Sequence, residues 1–598
     1  MVRGVILCVA VLFSSVGLMA GDIPVGELAY APTAARVAAL QAEAAQKGWA
    51  AVAAPLREAA TGLYERRGVQ AQSWYYLYRW ADLFGQTQGQ AVSRWRDDVR
   101  RANVGYESAY GETKAPDRQL GTFLPLEFQA YAMGSQEFSA QFFSLLSSLD
   151  HPSMVLRILA ALWSEGPAQF KDYSNLAIAI AVVYDVPPPS GWPHGQVSEQ
   201  ALHRQLFQPT GVFSFFVQAD KAGALLQPVR KLSAEDLKFV VDTSAGFDEM
   251  AWAQQNVAVP LDAFGRMYYV VRYRSDRAEA GTLVWPLASY KLPEIVQEGG
   301  ICVDQAYFAA TVGKAKGVPT LLFRGMGKDG GHAWFGFLDG GGQWQLDCGR
   351  YPDQKLVTGY AFDPQTWTNI SDHELMFLHE GFRRQPLFKT SLMHRQFAEI
   401  YYYGGNLPAA AKAARASVTV ERRNLDSWYL LLAAQQRMGM QPRQVEATLQ
   451  EASSAFERYA GLGDDFKRQI VRSLRSRGQT SAADLLEHSI GRIDEPDRDN
   501  SEVQQAAQVL QRSMEEDSVD NTVRLYYSLL KKPGQGADID FFIQVVRPFV
   551  EYVMKNERPD EAMQAVLQAR RALKVEPDGQ LDLELNALAE KARQAARR

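Results

Sequence analysis

The pattern of apolar and polar positions divides the chain into three stretches. From about residue 21 to 280 it predicts a mostly helical region. The Ala-rich run Ala34 to Ala45 supports helix, as do the apolar-rich runs Phe142 to Leu149 and Ser153 to Leu162 on either side of Pro152. Pro187-Pro188-Pro189-Ser190-Gly191-Trp192-Pro193 interrupts the pattern and is assigned to a loop. The aromatic clusters Trp74-Tyr75-Tyr76 and Phe213 to Phe216 are expected in the core rather than on a ligand platform. From 281 to 385 the pattern changes. Val303 to Lys316 is rich in helix formers, and Gly317 with Pro319 just beyond supplies a stop signal. Val318 to Arg324 reads as a strand and Gly325 to Gly331 as a tight turn. Two further strands follow, His332 to Leu338 and Gln343 to Asp347, joined by Asp339-Gly340-Gly341-Gly342.

Beyond residue 386 helical hairpins return. Turn-like positions at Gly405, Gly439, Gly478, Asp517 and Asn556 are spaced 34, 39, 39 and 39 residues apart. Several precede Ala-containing helix starts, such as Pro408-Ala-Ala-Ala-Lys-Ala-Ala and Pro559-Asp-Glu-Ala. This period resembles a degenerate tetratricopeptide-like array, with Trp428-Tyr429-Leu430-Leu431 filling the first helix of one unit. Such arrays bury a core between neighbours and leave a concave face for a protein partner. The polar segment Asp494 to Glu502 is the expected flexible joint.

Composition narrows the function classes. Of 598 residues, 47% are hydrophobic and 22% charged, which supports packed cores rather than global disorder. A net charge of −5 carries no nucleic-acid footprint. Arg3, the apolar run Val5 to Val16, and small residues near Gly17 and Ala20 predict a secretory signal over residues 1–20. The run is short for a membrane span, and no transmembrane segment is expected in the mature chain. An exported, periplasmic or secreted protein follows, in which only Cys302 and Cys348 remain after cleavage. Two cysteines do not make a disulfide scaffold, and a thiol kept in an oxidising compartment suggests a thiol in use.

The chemistry concentrates in Gly299-Gly300-Ile301-Cys302, Gly331-His332-Ala333-Trp334 and Trp344-Gln345-Leu346-Asp347. A thiol, an imidazole and a carboxylate are the attacker, base and orienter of nucleophilic acyl transfer. Cys302 falls in the first turn of the predicted helix, where free N–H groups and the positive dipole end favour a thiolate. A four-residue loop from Asp339 to Gly342 pairs Leu338 with Gln343 and Trp334 with Asp347. That register sets Asp347 diagonal to His332 on one face and turns Cys348 to the other. A disulfide or sulfenyl switch between Cys348 and Cys302 is a lesser alternative. Gly325-Met-Gly327-Lys-Asp-Gly330 matches a dinucleotide-binding glycine pattern but precedes a strand, so no helix dipole awaits a pyrophosphate. His373 and His379 are six apart and do not form a zincin pair.

These three blocks resemble the transglutaminase-like branch of the papain-like cysteine enzymes, over residues 281–385. The resemblance implies an α+β papain-like core in an otherwise mainly α protein, flanked by a helical N-terminal region (21–280) and helical repeats (386–598). It implies Cys302 as nucleophile, His332 as general base and then acid, and Asp347 as orienter. In this superfamily the oxyanion is met by the nucleophile's own N–H and an upstream side chain, for which Gln297 and Trp285 are both candidates. The implied activity is acyl transfer or hydrolysis on protein or peptide amides through a Cys302 thioester, with no metal or organic cofactor. The alternatives are a cell-envelope cysteine peptidase and a catalytically silent scaffold for protein–protein interaction.

Overall fold

The computed structural model describes residues 23–87, 118–189, 191–198, 201, 207–327, 330–350, 358–459, 462–487, 490, 506–507, 509–515, 517–531, 541–573, 575 and 580–596. It is mainly helical with one small sheet. The expected signal segment and the Asp494 to Glu502 joint lie outside the described residues. Among the described residues no helix is long and apolar enough to cross a membrane.

The chain divides into two compact units. Of the described residues, 23–87, 118–146 and 151–167 form the first, which packs helices such as Ala34–Lys47, Trp49–Glu65, Ala71–Gly85 and Pro152–Glu165. Thr33 caps the first of these by accepting the Arg36 N–H, and Pro152 occupies a first-turn position, where its missing N–H costs nothing. The aromatic cluster is core, as expected: Trp74 and Tyr75 are fully buried. Trp80 stacks on Phe142 at 4.7 Å between ring centroids.

The second unit holds the described residues from Ala168 onward, so 168–280 belong to the same compact unit as the Cys302 core. The reason lies in the helix Cys302–Ala315, hereafter the Cys302 helix. All its residues from Val303 to Ala315 are buried. A helix buried on all sides must be covered on all sides. Strands β1 (Thr320–Gly327) and β2 (Gly330–Leu338) pack on it. Helices Ala234–Val241 and Phe247–Asn256 and the 3₁₀ segment Leu261–Val270, all upstream of 280, also pack against it. The helix ends where expected, with Gly317 at φ +73°. Lys314, buried near its end, donates to the carbonyls of Phe239 and Thr320 and pairs with Asp242, whose carboxyl burial pushes up to about 6.

The sheet is antiparallel, in the order β3-β2-β1-β4-β5, with β3 Trp344–Cys348, β4 Tyr360–Phe362 and β5 Asn369–Ser371. The glycine-rich stretch expected as a turn is largely strand: Gly325 pairs with His332 and Gly327 with Gly330. The β2–β3 register also differs from expectation. Leu338 pairs with Trp344, not Gln343, because the Asp339 N–H closes the loop on the Gln343 carbonyl at 2.9 Å. An irregularity between Phe335 and Phe337 then shifts the pairing again, so that Phe335 meets Cys348.

After the sheet, helix Asp372–His379 leads into successive packed helices: Pro386–Tyr403, Leu407–Val420, Leu425–Arg437, Pro442–Ala455, Leu462–Ser476 and Thr480–Glu487. Gly405, Gly439 and Gly478 take φ of +80°, +66° and +72° at the turns between them. Farther along, residues of 506–592 form their own hydrophobic cluster around Tyr526 and Phe549.

Candidate active site

Cys302 is the first residue of its helix and is partly buried. Its approach is shaped by Gly299, at φ +78°, and by Gly300, where a Cβ would fall 2.3 Å from that of Asp304. Gly300 is held at both polar atoms: its N–H donates to Arg272 O and its carbonyl accepts from Arg274 N–H, each at 2.9 Å. Asp304, in the helix's third position, accepts the Ile301 N–H at 2.8 Å, half of a capping box. Its fully buried carboxylate also takes Arg277 Nη1 at 2.9 Å and the Tyr290 hydroxyl at 2.8 Å. Behind Tyr290 stands His194. Its Nδ1 accepts the Gln196 N–H, so its Nε2–H donates to the Tyr290 oxygen at 3.1 Å. Burial raises the carboxyl of Asp304 above its ordinary value.

The thiol meets the sheet at the end of β2. The Ala333 N–H favours the ionised form of the Cys302 thiol, and the Ala333 carbonyl accepts from the Tyr268 hydroxyl at 2.9 Å. Both Ala333 groups are available because β3 pairs with β2 only as far as Phe335. Burial raises the Cys302 thiol, and the Asp304 carboxylate adds to this; the N–H groups of Ala333 and Val303 oppose it. Burial therefore opposes the thiolate that a helix N-terminus by itself favours.

His332 immediately precedes Ala333 and is buried. Its Nε2 lies 2.8 Å from the carbonyl oxygen of Gly349. A carbonyl only accepts, so Nε2 carries the proton and Nδ1 keeps its lone pair in the neutral ring. The imidazole thus has a fixed tautomer with a basic Nδ1. Trp334 stacks near it on the same face at 5.9 Å, and the Arg350 guanidinium covers Trp334 at 4.4 Å.

Asp347 does not orient His332. Its side chain is 55% exposed and accepts from Arg350 Nη1 at 2.8 Å. The slipped register is the cause: Phe335 meets Cys348 rather than Leu346, and Asp347 falls inside the irregularity instead of opposite Trp334. The carbonyl of Gly349 stands where the carboxylate was expected. Cys348 lies opposite Phe335, on the face away from His332, and burial pushes its thiol up to about 12. Both cysteines are free.

No protein-family model matches the chain, and no curated protein matches it. The site is therefore argued from its own geometry. Of the oxyanion candidates, Trp285 is buried and its indole N–H is spent on Ser289 O at 2.7 Å. Gln297 is exposed in the helix Leu292–Glu298. Neither is held toward the sulfur by any described contact. Among the described residues no cluster of three or more His, Cys, Asp or Glu is placed to hold a metal. The sequence reading missed Gly349, Tyr268, Arg277 and Tyr290. Gly349 acts through its main chain, which no side-chain motif reveals; the sequence shows only a glycine followed by Arg, and its φ of +92° is seen only in the fold.

Proposed function

We propose that the chain is an exported, transglutaminase-like cysteine acyl transferase or hydrolase acting on protein or peptide amides. One observation carries the reading: His332, next to the Ala333 N–H that bears on the Cys302 thiol, is locked by the Gly349 carbonyl at 2.8 Å with Nδ1 as the base. Cys302 Sγ attacks the amide carbonyl as its proton passes to Nδ1, giving a tetrahedral adduct. Collapse expels the amine, which takes that proton from Nδ1, and leaves a thioester on Cys302. An amine or water, deprotonated by the same nitrogen, then releases the acyl group. The Gly349 carbonyl holds the ring but adds no full charge, so a resting thiolate–imidazolium pair is favoured less than with a carboxylate partner. The proton therefore moves during attack rather than before it. The cell-envelope peptidase alternative uses the same steps with water as acceptor.

The raised Cys302 thiol favours a second reading, a silent scaffold whose helical array binds a protein partner. Iodoacetamide alkylation of Cys302, followed by mass against pH in wild type and His332→Ala, separates the two. Acyl chemistry expects a rate at pH 7 that falls about tenfold or more in His332→Ala, the lower part of a general-base contribution. Equal rates in both, with one alkaline inflection, assign the site to the scaffold.

A further inference from the structure

Large apolar side chains are exposed at twenty described positions, and six of these lie between 269 and 287: Tyr269, Val270, Tyr273, Leu283, Val284 and Leu287. Tyr269 is 67% exposed and Val284 52%. Elsewhere such residues are scattered, which is ordinary for a protein surface; here they concentrate in one short stretch.

Both halves of that stretch are tied to the start of the Cys302 helix. The first is bound through Gly300, with Tyr273 in a parallel bridge to it and Arg272 and Arg274 making the two backbone hydrogen bonds. Gly300 and Cys302 are two residues apart, so their Cα atoms are separated by at most about 7 Å. The second half hangs on Arg277. That guanidinium pairs with Asp304 at 2.9 Å and donates to the carbonyls of Thr282 and Val284, each at 3.4 Å. It also lies over the buried Trp285 ring at 5.4 Å. Polar residues within the stretch carry both signs, as in the Arg274–Asp276 pair at 2.6 Å. A docking face for an anionic bilayer calls for a rim of one sign.

We infer that this apolar rim is the substrate-docking surface, and that its occupant is a polypeptide presenting an aromatic or branched aliphatic side chain one or two residues from the attacked carbonyl. The inference rests on the acyl-transfer reading. The stretch is bonded to Gly300, two residues from Cys302, and the side chains it exposes are rings and branched aliphatics. Burying one such side chain supplies discrimination of at least about tenfold over a charged one.

The test uses the full chain and two peptidyl chloromethyl ketones of equal length, one built on Phe-Leu and one on Asp-Ser. Labelling rates at Cys302 are read by mass, each divided by the iodoacetamide rate of the same variant. The wild type is expected to prefer the apolar reagent about tenfold or more. That ratio is expected to fall at least about threefold in Tyr269→Ser/Tyr273→Ser and in Leu283→Ser/Val284→Ser. A wild-type ratio near one overturns the proposal, as does a ratio that survives both double variants. Protection of Cys302 by phosphatidylglycerol vesicles together with a ratio near one reassigns the rim to a membrane contact. An iodoacetamide rate indifferent to His332→Ala is a separate number, and it sinks the acyl-transfer reading and this inference with it.

Discussion

At the scale of single residues, the site turns on a main-chain oxygen. In a Cys–His–Asp triad, losing the carboxylate is severe because the imidazole loses its tautomer. Here Asp347 faces solvent and pairs with Arg350, so Asp347→Ala is expected to leave the alkylation rate of Cys302 within about twofold of wild type and to cost under about 1 kcal/mol. Gly349→Ala is expected to do the reverse. A Cβ there would lie 2.4 Å from the Tyr268 ring, at φ +92°. The carbonyl must then move off His332, and the His332-dependent part of the rate disappears. A rate lost in Asp347→Ala but kept in Gly349→Ala contradicts this assignment. Cys348 gives a separate test. Its thiol is near 12 in the fold against about 8.5 unfolded, so the native state holds a proton that the unfolded chain releases. The stability this confers is complete below pH 8.5 and is lost as pH rises toward 12. The urea midpoint is expected to fall between pH 8 and 10.5, and to fall less in Cys348→Ala.

At the scale of elements, the Cys302 helix was legible and the hairpin beside it was not. Helix formers, Gly317 and Pro319 mark the helix within a residue or two, because they act through local backbone energetics. Hairpin register depends on whether the loop closes at Gly342 or Gln343, and then on an irregularity that no residue type announces. Together these two steps moved Asp347 off the site. The helix start shows the same division. Gly-Gly-Ile-Cys was visible as a break, but Asp304 as its anchor depends on Arg277 and Tyr290 arriving from upstream. Asp304→Ala leaves the buried Arg277 without its carboxylate and is expected to cost about 3–5 kcal/mol. Tyr290→Phe removes only a hydroxyl, at about 1–3 kcal/mol. Urea unfolding of the full chain should rank them in that order. Equal losses would mean that the carboxylate draws its worth from Tyr290 rather than from the ion pair.

At the scale of the whole chain, the mainly helical class and the run of hairpins after 386 followed from periodicity, whereas the extent of the second unit did not. Helices between 168 and 280 carry no chemical motif, and their role as cover for the Cys302 helix exists only once both are folded. A similar tertiary contact joins the helical array to the sheet. Phe377, on the short helix Asp372–His379, packs its ring on Tyr459 at 4.9 Å and on Phe456 at 5.8 Å. The Tyr459 hydroxyl donates to Glu380 at 2.5 Å, and Arg458 reaches the same carboxylate at 2.9 Å. On its other side this helix presents His379 to the Trp344 ring at 5.5 Å and to Asp236 at 3.3 Å. It is thus the element through which array and sheet share stability. Removing a buried Phe ring typically costs about 3–5 kcal/mol. In Phe377→Ala that loss should fall on the array, which loses its docking contact, more than on the Cys302 helix. Hydrogen exchange reads the two sides separately: amides of 410–418 in the array, and of 303–315 in the Cys302 helix. The array amides are expected to exchange at least about tenfold faster in Phe377→Ala while the helix amides keep their wild-type rates. If both sets accelerate together, array and sheet form one cooperative block. The proposed acyl-transfer site would then not be separable energetically from the surface proposed to bind a partner.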